Sequence, residues 1–150
     1  MSKHSTGLES IERQLRAHDL RLVKLRAWRD AVVESLRKCD GDEGSRQKRM
    51  DTTPSSASLE YERDTLAREI RAHEILTALG RDRQALALLD KVAGDPGLAR
   101  EAAADPRAFA AARGVQLPRN MTVRVNIVAD RVSVELDYID RSCPASLTFP

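Results

Sequence analysis

An unbroken heptad pattern near the amino terminus constrains the fold more than any other feature of this sequence. The residues at every third or fourth position are mostly apolar, and no Gly or Pro occurs between residues 8 and 40. This spacing is close to the heptad repeat and predicts one long helix with a single apolar stripe. We name the positions of this stripe the seam: Leu8, Ile11, Leu15, His18, Leu22, Leu25, Arg29, Val32, Leu36 and Cys39.

The seam requires a partner, because a long apolar stripe is stable only when it packs against another element. The partner is either a second helix of the same chain or another subunit, and the pattern leaves both open. We therefore expect a homo- or hetero-oligomer that forms through helix 8–39, unless the chain itself covers the stripe. The predicted partner-binding residues are Leu8, Ile11, Leu15, Leu22, Leu25, Val32 and Leu36.

A polar segment rich in turn residues, 40–57, predicts a flexible linker, and a second helix follows it. Ser58 is the expected N-cap and Gly80 the expected stop. The apolar stripe of this helix is Leu59, Leu66, Ile70, His73, Leu76 and Leu79.

Histidine occurs on both predicted stripes. It is either a pH or metal switch at the helix interface or a polar residue that fixes the register. In an antiparallel hairpin with Cys39 near Leu59, His18 lies near Gly80 and His73 near Leu25. That register keeps the two imidazoles apart.

Repeated Asp-Pro pairs mark two further short helices, after a helix predicted in "RDRQALALLDKVAG". Asp95-Pro96 and Asp105-Pro106 each provide an N-cap followed by proline at the first helical position. Gly114 is the expected left-handed residue after the second helix, and Val115 is expected to fold back onto Phe109. Leu117 precedes Pro118 and is therefore held extended.

Alternating apolar residues then predict a β-hairpin. Val123, Val125 and Ile127 share one face of the first strand, whereas the second strand buries Val132, Val134, Leu136 and Tyr138. Asp130-Arg131 is the expected turn.

The predicted fold class is α+β, mostly α. It has an N-terminal long heptad helix and helical hairpin, then short helices and a C-terminal β-hairpin. We expect a helical extension at 1–80, a small module at 81–140 and a tail at 141–150.

Composition and motif content exclude several function classes. Acidic and basic residues nearly balance, 23 against 25, and only 3% of the chain is aromatic, which argues against nucleic-acid binding. No run reaches the roughly 18 apolar residues of a membrane helix, and the first residues lack a signal-peptide core, so we expect a cytoplasmic chain. The two cysteines form no metal motif, and no cofactor motif is present. Glu135, Asp137 and Asp140 resemble an acidic cluster, but Glu135 and Asp137 occupy the polar face of a strand, where charge indicates contact with solvent. We therefore expect a protein that is not an enzyme and needs no cofactor.

The stretch "DPGLAREAAADPRAFAAARGVQLPRNMTVRV" carries a family resemblance. The order Asp-Pro, Asp-Pro, Gly-Val, Leu-Pro, Val-Arg-Val resembles the nitrile hydratase α-like leader-peptide domain of ribosomally made peptide precursors, over about residues 86–139. The residues that carry this pattern are Asp95, Pro96, Asp105, Pro106, Phe109, Gly114, Leu117 and Pro118. The resemblance implies that this module binds a modifying enzyme.

Departures from that family limit what the resemblance implies. Nitrile hydratase itself binds its metal through three closely spaced cysteines, whereas the corresponding region of this chain holds only Cys143. Precursors also end in a core peptide, commonly after two glycines that are absent here. The candidate modified residues of the tail are Ser142, Cys143, Ser146 and Thr148.

Two functions of different classes remain open. In the first, the leader-like module binds a partner protein, as peptide precursors do. In the second, the heptad helix makes the chain an oligomeric coiled-coil adaptor or assembly component with an inert tail. Both are binding functions with a protein partner.

Overall fold

The computed structural model describes residues 3–41, 55–140 and 143–150, without the side chains of residues 3–6, 40, 41 and 143. Five helices precede an antiparallel sheet of three strands within these ranges. The helices are α1 (Lys3–Gly41), α2 (Ser56–Gly80), α3 (Arg83–Gly94), α4 (Pro96–Ala104) and α5 (Pro106–Ala112). The strands are β1 (Met121–Val128), β2 (Arg131–Asp140) and β3 (Cys143–Phe149), in the order β1-β2-β3. The predicted α+β class, mostly helical with a C-terminal hairpin, is confirmed.

The seam of α1 packs against α2 of the same chain, which answers the question of its partner. Leu22, Leu25 and Val32 are buried with Leu59 and Leu66 in one cluster. Leu8 differs from the other apolar seam residues, because it is 39% exposed. A straight helix drifts by about 20° per heptad, so the first seam position has rotated out of the interface.

The register of α1 against α2 differs from the predicted one by a single heptad. His18 lies beside His73 rather than Gly80, which is seven residues further along α2. Arg21 and Glu69 form an ion pair of 2.9 Å in this register, and the Trp28 indole donates to Glu62 at 2.7 Å. A slip of seven residues keeps apolar positions matched, so the heptad pattern does not distinguish the two registers.

Helix α2 begins earlier than predicted. Its N-cap is Ser55, whose side-chain oxygen accepts from the backbone N–H of Ser58. Ser58 therefore lies in the first turn, and the predicted cap was wrong. The predicted linker 40–57 is wrong at both ends, because residues 40–41 belong to α1 and 56–57 to α2; residues 42–54 lie outside the described residues.

Both Asp-Pro pairs open helices as predicted. Asp95 Oδ1 accepts from the N–H groups of Gly97 and Leu98, and Asp105 Oδ1 accepts from Ala108. Each aspartate thereby satisfies donors that the helix itself leaves unpaired.

Gly114 ends α5 in a complete Schellman motif. Its φ is +80°, its N–H bonds the Ala111 carbonyl at 3.1 Å, and the Val115 N–H bonds the Ala110 carbonyl at 2.9 Å. Val115 packs in a cluster with Ala110 and Ala85, whereas Phe109 belongs to the main core. The predicted contact between Val115 and Phe109 is therefore replaced by one with α3.

The β1–β2 hairpin turns at Ala129-Asp130, one residue before the predicted turn. Both residues have positive φ, 49° and 63°, and Val128 pairs with Arg131. This is a two-residue turn of type I′, whose twist matches that of the strands although no glycine is present.

The predicted tail is instead the third strand of the sheet. β3 pairs with β2 from Asp140↔Cys143 to Val134↔Phe149. Ala145, Leu147 and Phe149 are 7%, 0% and 1% exposed. Pro144 is compatible with this strand because its missing N–H falls on the outer edge.

One core joins the two predicted domains. Ile11 and Leu15 of α1 and Leu76 of α2 cluster with Leu147 and Phe149 of β3. The expected division between 1–80 and 81–140 is therefore not a boundary between separate cores. All the helices lie toward the inner face of the sheet, and α1 and α2 extend past it as a helical hairpin with its own apolar cluster.

Candidate functional site

The two edges of the sheet differ in how their backbone groups are satisfied. In β1 the pairing register turns the N–H and C=O groups of Met121, Val123, Val125 and Ile127 away from β2. Arg107 donates to the Met121 carbonyl at 2.7 Å, which fixes the start of the strand. Within the described chain, the outward groups of Val123, Val125 and Ile127 have no hydrogen-bond partner. The rest of β1 is thus an open edge.

An apolar cavity lies beside this open edge. It has a volume of about 60 Å³ and lies between the inner face of the sheet and helices α3, α4 and α5. Val123 and Val125 line it from β1, and Phe109 and Pro106 line it from α5. Both valines are only partly buried. The edge therefore combines unpaired backbone groups with apolar side chains.

The opposite edge, along β3, is closed by side chains of α1. The Gln14 amide donates to the Thr148 carbonyl at 2.6 Å and accepts from the Thr148 N–H at 2.7 Å, as a neighbouring strand would. His18 Nε2 lies 2.9 Å from the Ser146 carbonyl. These contacts block the addition of another strand at β3.

Two histidines meet where α1, α2 and β3 come together. The Nδ1 atoms of His18 and His73 are 2.6 Å apart, and the ring centroids are 4.8 Å apart. The predicted separation of the imidazoles was wrong, because of the one-heptad difference in register.

The hydrogen-bond partners of His18 determine which ring nitrogens of the His18–His73 pair carry a hydrogen. His18 Nε2 faces a carbonyl that only accepts, so it carries a hydrogen. When His18 is neutral, its Nδ1 then accepts from Nδ1–H of His73. The pair can hold one positive charge, but a second would bring two N–H groups face to face.

Burial lowers the pKa of His73, and the adjacent His18 lowers it further. Glu69 on α2 acts in the opposite direction and raises it, whereas Arg21 on α1 lowers it. The carboxylate of Asp19, next to His18, bonds Arg81, which lowers the pKa of Asp19. The arrangement thus favours a neutral His73.

The predicted partner-binding residues of the seam are mostly enclosed within the chain. Ile11, Leu15, Leu22, Leu25, Val32 and Leu36 are each 7% exposed or less. A substitution such as Leu22→Asp therefore perturbs folding and does not selectively test an oligomer.

Glu135 and Asp137 of the acidic cluster and Ser146 and Thr148 of the predicted tail lie on the outer face of the sheet, whereas Asp140 is half-buried at the end of β2. The side chains of Ser146 and Thr148 are exposed, whereas Ser142 lies outside the described residues. Glu135 and Asp137 pair with Arg124 at 2.7 and 3.5 Å, as expected for a solvated polar face.

Sequence reasoning missed the residues that organise the edges. Gln14 and Arg107 are polar residues on helices, and nothing in their local pattern indicates that they bond a distant strand. Arg107 also donates to the carbonyls of Leu117 and Pro118, at 3.0 and 3.1 Å. The Leu117-Pro118 pair was the available signal, because its extended backbone leaves carbonyls for a nearby donor.

The described residues hold no group of three or more His, Cys, Asp or Glu side chains that could bind a metal ion. In the same ranges, no helix has both the length and the apolar character that a bilayer span requires.

The comparisons with known proteins give no relative: no family model, no curated protein and no solved structure matches this chain. The resemblance to the nitrile hydratase α-like leader-peptide domain therefore rests on the quoted residues and stays a prediction.

Proposed function

We propose that this chain is a protein-binding protein that receives an extended segment of a partner along the open edge of β1. In this role the chain performs no reaction itself. The leader-like pattern from Asp95 to Pro118 indicates the class of partner, an enzyme that modifies or exports a peptide.

The difference between the two edges carries this proposal. Exposed strand edges invite pairing with other chains, and folded proteins normally protect them. Here Gln14 and His18 protect β3, whereas among the described residues nothing pairs with the outward groups of Val123, Val125 and Ile127 on β1. A chain that closes one edge with dedicated side chains and leaves the other open is suited to accept a strand at the open edge.

The cavity supplies a source of specificity. A strand added to β1 bonds the backbone groups of Val123 and Val125, and its alternate side chains point toward the same face as theirs. On that side the cavity is lined by Val123, Val125 and Phe109. We therefore propose that the bound segment carries an apolar residue at the position that enters the cavity.

The precursor form of this function has less support. A precursor would release or modify residues beyond about 140, but Leu147 and Phe149 are buried in the main core. We propose that the carboxyl-terminal residues belong to the binding module itself.

Partner capture with an edge variant tests the proposal. The protein isolated with this chain from its own host is identified, and its affinity is measured by calorimetry for wild type and for Val125→Pro. Proline removes one outward N–H without breaking the β1–β2 ladder. We expect binding to weaken by roughly tenfold or more, as the loss of one hydrogen bond and a close contact predicts.

Asn126→Lys is the matched control, because the Asn126 side chain is exposed on the outer face of the same strand. Thermal unfolding checks that both variants fold. Equal affinity of wild type and Val125→Pro would refute binding at this edge. The intact mass of the chain from its host is the second measurement, and a product cut beyond about residue 140 would favour the precursor function.

A further inference from the structure

A second stripe runs along α1 on the face opposite the seam. Its positions are spaced by three or four residues, as the seam positions are, and eight of the nine are exposed. We name it the outer stripe: Glu9, Arg13, Arg16, Leu20, Val23, Ala27, Ala31, Glu34 and Lys38. Only Glu34 is half-buried.

The centre of the outer stripe is apolar, although it faces solvent. Leu20 is 67% exposed and Val23 is 64% exposed, and the next two positions are the exposed alanines Ala27 and Ala31. A helix that only faces water normally carries polar residues on this side. Small and apolar residues here allow another helix to approach closely.

When a second copy of α1 lies antiparallel to the first along the outer stripe, charged residues at the ends of the stripe meet residues of opposite charge. About a point midway between Val23 and Lys24, Glu9 falls opposite Lys38 and Arg13 opposite Glu34, because the two members of each pair lie equally far from that point. Leu20 falls opposite Ala27 in the same register. A large side chain thus meets a small one across the centre.

We propose that two copies of this chain associate through the outer stripe as an antiparallel, two-fold symmetric helix pair. The surface is self-complementary, as a two-fold interface requires. A parallel pair in register would instead oppose Glu9 to Glu9, Arg13 to Arg13 and Lys38 to Lys38, which is repulsive at every charged position. The charge pattern therefore selects the antiparallel orientation.

This interface is independent of the binding function proposed for β1. Helix α2 and the sheet pack on other sides of α1. The β1 edge of each copy therefore stays uncovered, and the dimer is bivalent for its partner. Glu34 already pairs with Arg37 within the chain at 2.9 Å, and in the dimer Arg13 of the second copy joins that pair.

Sedimentation equilibrium of the full chain over a range of concentrations tests this proposal first. We expect a reversible monomer–dimer equilibrium. Leu20→Glu raises the dissociation constant by roughly a hundredfold, because each dimer loses two central apolar contacts. Tyr61→Glu is the matched control, since Tyr61 is 70% exposed on α2 and outside the stripe.

Charge reversal tests the register. Arg13→Glu and Glu34→Arg each weaken the dimer by roughly five- to tenfold, and the double variant restores it. A double variant that is as weak as the single ones would overturn the pairing of Arg13 with Glu34.

Disulfide trapping tests the orientation in a background of Cys39→Ser and Cys143→Ser. Val23→Cys lies next to the two-fold axis and crosslinks the two copies. The two Lys38→Cys residues would be about 44 Å apart in the antiparallel pair, at 1.5 Å per residue, and do not crosslink. A chain that stays monomeric, a dimer that Leu20→Glu does not weaken, or a crosslink at residue 38 but not at 23 would each overturn the proposal.

Discussion

Replacing Leu147 with Ala tests whether the last eight residues are part of the fold. The Leu147 side chain is fully buried, and it lies beside Gly80 of α2, where a methyl group would come within 3.2 Å of it. Leu15 of α1 contacts the same place. Three elements meet at this side chain, so the surroundings have little freedom to collapse into the space that alanine leaves.

The expected loss of stability is about 4 kcal/mol. Replacing a buried leucine with alanine costs roughly 2–5 kcal/mol, and sites that cannot relax lie in the upper part of that range. For a chain of 150 residues, a loss of that size lowers the Tm by about 10 °C. It also removes a large share of the 5–15 kcal/mol that a domain typically has.

Urea unfolding followed by circular dichroism measures this effect. Ser146→Ala is the matched control, because the Ser146 side chain is exposed and contributes only its backbone carbonyl to the contact with His18. We expect the control to stay within about 0.5 kcal/mol of wild type. If Leu147→Ala were equally mild, β3 would not be packed against the helices, and residues 141–150 would be a tail after all.

Two further predictions concern Gly114 and His73. Gly114→Val should destabilise the chain by about 1–2 kcal/mol, because a β-branched residue is strained at a φ of +80°. No atom lies within 4 Å of the added group, so backbone strain accounts for the whole effect. Unchanged thermal unfolding of this variant would contradict the helix stop at Gly114. Since the pKa of His73 is lowered on folding, the unfolded chain takes up a proton that the folded chain resists. This stability is fully present above the ordinary histidine pKa of about 6.5 and decreases as the pH falls toward the lowered value. His73→Gln should therefore lose less stability than wild type between pH 8 and pH 5, by urea unfolding, and equal losses would count against a neutral His73.

The open edge of β1 shows how far sequence reasoning reaches toward a candidate site. The alternation of Val123, Val125 and Ile127 predicted the strand and its inner face. Nothing in that pattern tells which edge of a sheet stays open, because the answer depends on β3 and on Gln14, which lies 134 residues from Thr148.

The register of the helical hairpin was undetermined for a different reason. A heptad stripe repeats every seven residues, so two registers one heptad apart bury the same kinds of side chain. The contacts that distinguish them are polar and particular, such as the ion pair of Arg21 with Glu69. The meeting of His18 with His73 follows from that choice.

Local signals by themselves determined the ends of the short helices and the stop at Gly114. Caps, prolines and left-handed glycines act on residues at most four or five positions away, so the local sequence is enough to predict where these helices begin and end. The long helix could be predicted from the local sequence too, because the spacing of its apolar residues by three and four defines the apolar stripe.

Tertiary structure decided what covers each surface. Helix α2 covers the seam of α1. The carboxyl-terminal segment is a strand because Leu147 and Phe149 complete a core that begins at Ile11. The β3 edge of the sheet is covered by side chains of α1, whereas the β1 edge is open in the described chain. Burial depends on the sum of distant contacts, and a strand as short as β3 gains its stability only from the surfaces it meets.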